Sequence, residues 1–155
     1  MGLIGWLIGT VTVGVLGLGV AVLRIRRRIV VVTVEGTSMA PTLADGERVV
    51  VRRRRIDQVH RGDVVVLEPP PQPSGQYAPI PTQDGHLWNI KRAVALPGDP
   101  LPEGVMSGET LTRVPPGALV VLGDNPDSID SRQRGFFSAD QLLGVAVRRL
   151  GGPAL

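Results

Sequence analysis

The sequence predicts a mainly β domain preceded by one N-terminal transmembrane helix. Three observations predict it: a long uncharged run at the start, a series of short β-branched segments after it, and Gly, Pro and Asp at the breaks between them. Residues 1–28 read as a membrane anchor with a basic flank, and residues 29–155 as the β domain. A chain of 155 residues has room for one compact domain plus such an extra segment.

The run from Leu3 to Leu23 holds 21 residues and no charge, and as a helix it would be about 30 Å long, the thickness of a bilayer core. Its glycines would weaken a soluble helix but are common in membrane spans. Gly5 and Gly9 form a GxxxG, a weak dimerisation signal in so glycine-rich a run. A cleaved signal peptide would want a basic start and a small-residue cleavage site. Here no basic side chain precedes the run, and Arg24, Arg26, Arg27 and Arg28 follow it, so it reads as a retained anchor.

Beyond the anchor come "IVVVTVEG", "ERVVVR", "GDVVVLE", "LWNIKRAVAL", "GALVVLGD" and "LLGVAVRRL", all short runs of strand length rich in β-branched residues. Turn signals such as "LADGE", "HRGD", "LPGD" and "VPPG" separate them. No long amphipathic helix interrupts the series and no internal repeat is present, so the strands are expected to close into a barrel or sandwich. The segment "EPPPQPSGQYAPIPTQDGH" at 68–86 reads as an exposed loop.

Composition narrows the chemistry. Zero cysteines exclude disulfides and thiolate metal sites. The net charge of +3 and a pI near 10.5 invite an anionic partner. The excess sits in "RIRRR" at 24–28 and "RRRR" at 52–55, without aromatic residues to stack on bases. Solvated faces or a membrane surface fit these runs better than nucleic acid, which is not an expected partner.

Lys91 is the only lysine, among sixteen arginines. A guanidinium keeps its proton at any pH a protein meets, whereas a desolvated lysine can lose it. Its free pKa of about 10.4 falls by several units on burial, and Lys91 lies in an apolar, strand-like segment. Ser38 follows a strand in "EGTSMAPTL", in a turn led by Gly36 and followed by Pro41. A nucleophilic serine needs a base. His60, in "VHRGD", and His86, at a loop edge, have no convincing orienting carboxylate in their local sequence. Lys91 is the remaining candidate, and Ser-Lys pairs are a variant of the triad logic.

"EGTSMAPTLADGERVVV", "RGDVVVLEPP", "NIKRAVALPGD" and "LGDNPDSIDSRQRGF" stand in the order and approximate spacing of the type I signal peptidases. Over roughly residues 30–147 the chain resembles a small bacterial member of that serine-lysine family, and the preceding anchor also fits. The resemblance implies a signal-peptidase-like β domain in which Ser38 is the nucleophile and Lys91 the general base. It implies that Ser128 holds the lysine amine, and that Asp124, Asp130 and Arg132 form a structural network beneath the site. Two departures stand out. Pro126 replaces an Arg common after "GDN", and Gly36 stands where some relatives carry a hydroxyl that helps bind the oxyanion. Losing one such donor costs about 2.7–4 kcal/mol in an enzyme built to use it. No cofactor and no metal is expected.

The resemblance further implies signal-peptide-bearing preproteins as substrates, lying extended beside "VVVTVEG" and "LWNI". It implies a monomeric, single-pass protein of the bacterial plasma membrane, with its catalytic domain on the extracytoplasmic face. The arginines after the span point the other way under the positive-inside rule, a conflict that a basic leader upstream of Met1 would remove. Alternatives are a maturation peptidase dedicated to one secreted protein, a self-cleaving Ser-Lys regulator, and a non-catalytic membrane-anchored β domain. The span and the lack of a helix-turn-helix oppose the regulator.

Overall fold

The computed structural model describes residues 28–68, 88–105, 111–152 and 154–155. The expected span at 3–23 and nearly all of the expected loop at 68–86 lie outside the described residues. Among the described residues no helix is long and apolar enough to cross a membrane.

Each of the six β-branched runs yields a strand: β1 (Ile29–Thr33), β2 (Arg48–Arg53), β3 (Val64–Leu67), β4 (Asn89–Ala95), β5 (Ala118–Leu122) and, last in the chain, β7 (Leu142–Arg149). A two-residue β6 (Phe137–Ser138), a one-turn helix α1 (Ser131–Arg134) and 3-10 turns at Ile56–Gln58 and Ala139–Gln141 complete the described elements. Glycines with a positive φ stand in the turns that lead into strands: Gly46 before β2, Gly62 before β3 and Gly117 before β5.

The strands form one sheet of order β1-β2-β7-β3-β4-β5-β6, and the pairings from β2 onward are antiparallel. The final strand is thus inserted between β2 and β3, and β1 and β6 are the two ends of the order. All four residues of β3 are buried, so both faces of the sheet are covered at its middle.

Register decides which side chains meet. Residues directly opposite in an antiparallel pair share a face. Lys91 lies across from Val65, and Ala93 across from Val121. Lys91 therefore projects from the face that carries the apolar cluster of Val65, Leu67, Ala93, Leu119, Val121, Phe137 and Val145. Arg92 lies across from Val64 and Leu122 on the opposite face.

Candidate active site

Ser38 sits in the turn that follows β1, half-buried between anchors. Met39 and Leu43 are both 0% exposed, and the Leu43 N–H donates to the Met39 carbonyl at 2.8 Å. The Ala40 N–H closes the turn onto the Thr37 carbonyl at 3.0 Å. Gly36 adopts φ 76°, a conformation glycine takes freely, and its N–H is engaged by the Asp45 carboxylate at 2.7 Å. The Ser38 hydroxyl makes no hydrogen bond among the described residues.

Lys91 is 5% exposed, and its Nζ donates to Ser128 Oγ at 3.0 Å. Burial pulls its pKa from an ordinary 10.5 down to about 8; the Asp130 charge opposes that shift, and Arg134 and Arg132 add to it. Ser128, 4% exposed, belongs to the loop between β5 and α1. That loop is stitched back to β5: the Val121 N–H donates to Ser131 Oγ at 2.9 Å, and the Gly123 N–H to Asp130 Oδ2 at 2.8 Å.

Asp130 caps α1. It accepts the Arg132 N–H at 3.1 Å, while Gln133 accepts the Asp130 N–H at 3.0 Å, a reciprocal capping box. Arg132 adds a bidentate grip at 2.9 and 2.7 Å. Burial alone would raise the Asp130 pKa, but the Arg132 side chain and the Gly123 and Arg132 amides outweigh it and hold the carboxyl below its usual range.

The same loop reaches the serine turn. Asn125 donates its backbone N–H to the Ser38 carbonyl and its side-chain amide to the Thr37 carbonyl, each at 3.1 Å. Gly123 provides the space. A Cβ there would lie 2.2 Å from Ser128 Oγ and 2.5 Å from the Ser38 carbonyl oxygen, distances no side chain tolerates. The Ser128 hydroxyl, the amine it holds and the Ser38 backbone therefore converge on one corner.

On the other face, Arg92 grips Asp124 at 2.8 and 2.6 Å, reaches the Gly62 carbonyl at 2.7 Å, and lies 3.5 Å from Thr42 Oγ1. The Arg92 guanidinium holds the Asp124 carboxyl below the usual carboxylate range. The sequence grouped Asp124, Asp130 and Arg132 as one network. The structure divides them into an Arg92–Asp124 pair and an Arg132–Asp130 pair on separate segments. Arg92, Asn125 and Ser131 were not singled out from the sequence; the "KR" pair, the "GDN" triplet and the second serine of "SIDS" are the signals they left. The His60 ring is 84% exposed and stands 3.7 Å from Asp63, beyond hydrogen-bond range. His86 lies outside the described residues.

Comparisons with known proteins bear on this arrangement. The family model described as signal peptidase, peptidase S26, matches residues 7–102 and 103–150. Signal peptidase I U of Bacillus subtilis (strain 168) is 32% identical, over 72% of this chain and 70% of its own length. Signal peptidase I of Bacillus licheniformis is 29% identical, over 77% and 70%. Probable signal peptidase I-1 of Synechocystis sp. is 31% identical, over 72% and 66%. Matches that run through the serine turn, the lysine strand and the Ser128 loop place this chain in the signal peptidase family, peptidase S26, as a serine endopeptidase.

Proposed function

We propose that this chain is a membrane-anchored endopeptidase that removes signal peptides from exported preproteins, with Ser38 and Lys91 as its catalytic pair. One observation carries the reading: the only lysine is buried, its pKa is lowered toward neutrality, and its amine is held by a loop bonded to the Ser38 backbone.

In this mechanism the neutral amine of Lys91 takes the Ser38 proton as Oγ bonds to the scissile carbonyl carbon. The C–N bond then breaks, and the leaving amine collects that proton from Lys91. Water, deprotonated by the same amine, attacks the acyl-enzyme, and the new carboxylate leaves with Ser38 reprotonated. Ser128 keeps the amine aimed. The Ser38 N–H, which bonds nothing among the described residues, serves as the oxyanion donor. Gly36 offers neither a side chain nor a spare N–H, since Asp45 holds the latter.

Residues 1–28 act as the anchor and residues 29–155 as the catalytic domain. Burial of β3 on both faces supports a sheet coiled into a barrel or sandwich. The substrate lies extended near the β1 end and the Trp88–Ile90 entry to β4, with the domain outside the cytoplasm of a bacterial cell. Protease accessibility in spheroplasts tests that orientation.

Catalysis is tested with wild type, Ser38→Ala and Lys91→Arg on a preprotein in detergent. A general base contributes about 100- to 10,000-fold, so Lys91→Arg, though it keeps the charge, should be as inactive as Ser38→Ala. Appreciable cleavage by the arginine variant excludes a neutral amine as base.

A further inference from the structure

We propose that Asn89 is a specificity-determining residue whose side-chain amide donates to a serine hydroxyl on the leader side of the cleaved bond. The inference rests on the peptidase reading and names a substrate preference within it. Asn89 opens β4 and stands directly across from Leu67. Alternation puts its side chain on the face that carries Lys91. Its Nδ2 is shut off from solvent and has no hydrogen-bond partner. A buried donor left unpaired costs about 1–3 kcal/mol, and Leu67 opposite offers it only hydrocarbon. Among the described residues, Arg149 Nε is the other buried side-chain atom without a hydrogen bond, and it lies 3.5 Å from the Glu47 carboxylate.

The missing partner can come from outside. The ladder between β4 and β5 begins at Arg92, opposite Leu122. Among the described residues, Asn89, Ile90 and Lys91 therefore have a strand neighbour on the β3 side only. An extended peptide laid along that open edge adds a strand. Main-chain groups then pair through the edges, while side chains meet side chains on a shared face. The acceptor that reaches Asn89 is thus a substrate side chain, not a substrate carbonyl.

That acceptor is neutral, because a carboxylate beside Lys91 would favour the charged amine and disable the base. Signal peptides end in small residues in an A-x-A-like pattern, and a spacing of two turns both side chains to one face of an extended chain. Serine is the residue of that size that carries a neutral acceptor. Alanine leaves Nδ2 as it is in the free protein, whereas serine satisfies it. One hydrogen bond then separates two side chains of nearly equal size.

Competition among three leader peptides tests this with the full chain in detergent. One carries alanine at both the last and the third-from-last leader residue, and the others carry serine at one of those places. Wild type should cut one of the serine peptides on the order of tenfold faster than the alanine peptide. In Asn89→Leu that ratio should fall to about one. Equal rates on all three with wild type overturn the proposal. So does a leucine variant that keeps the ratio, or one that slows all three alike, the mark of a main-chain contact. If the leucine variant does not fold, wild type decides with α-aminobutyrate, which puts a methyl in place of the hydroxyl: cleavage as fast as with serine overturns the proposal. Ser38→Ala, run alongside, separates the two readings. Cleavage that vanishes in Ser38→Ala but ignores serine sinks the Asn89 assignment alone. Cleavage that survives Ser38→Ala, or none by wild type, sinks the peptidase reading and this inference with it.

Discussion

At the scale of single residues, Lys91 combines a stability cost with the catalytic role proposed for it. Its folded pKa, about 8, lies below the ordinary 10.5, so between those values the unfolded chain binds more protons. Unfolding free energy should therefore rise as pH climbs through that window, and the cost of the buried cation is fully present below about pH 8. Lys91→Met removes it. Thermal melts should show that variant more stable than wild type at pH 7, with the alkaline rise flattened, and assays should show it inactive. In wild type, kcat/KM on a peptide substrate should climb through pH about 8, where the amine becomes neutral. Ser128→Ala removes a bond contributing about 1 kcal/mol, together with the aim of the amine. It should lower kcat on the order of tenfold while KM holds; an unchanged kcat leaves Ser128 without a positioning role. The types and order of Ser38, Lys91 and Ser128 were legible in the sequence. Arg92 and Asn125 were not, because their partners are distant in the chain: Arg92 meets Asp124 and Gly62, and Asn125 meets Thr37.

At the scale of elements, the strands were legible because β-branched runs alternate with Gly and Pro turns. β6 was missed because two residues carry no period. The loop from Gly123 to Asp130 shows why a polar motif can be read for its types but not for its geometry. A "GDNPDSID" string looks like one turn, whereas two of its three aspartates, Asp124 and Asp130, pair with arginines on separate segments. The loop has no slack at Gly123. In Gly123→Ala the new methyl would meet Ser128 at 2.2 Å and the Ser38 carbonyl at 2.5 Å. Relieving an overpacked contact costs typically about 1–3 kcal/mol, so that variant should melt earlier and lose most of its activity. Wild-type kcat in Gly123→Ala overturns the packing argument. Asp130→Ala removes a cap, an ion pair and the Gly123 amide's acceptor at once, and should destabilise beyond the roughly 0.5–2 kcal/mol of a cap alone.

At the scale of the whole molecule, the depressed carboxylates set the response to acid. Arg61 holds Asp99 at about 2, below the ordinary 3.8, and Asp124 and Asp130 are lowered as well. A carboxyl with a lowered folded pKa contributes stability above its unfolded value and loses it as pH falls through the folded one. Melting temperature should therefore drop between pH 3.8 and about 2, and Asp99→Asn should show a shallower drop. Strand order could not be read from the sequence. Pairing β7 with both β2 and β3 joins segments about half the chain or more apart, and local patterns carry no record of that.

The clamp that Asn125 places on the Thr37 and Ser38 carbonyls fastens hydroxyl and amine to a common mount. A small molecule competing for those two carbonyls would loosen both halves of the proposed catalytic pair without touching the Ser38 hydroxyl. Escape from such a compound would have to come by rebuilding the mount itself, since exchanging the proposed nucleophile would leave the grip unchanged.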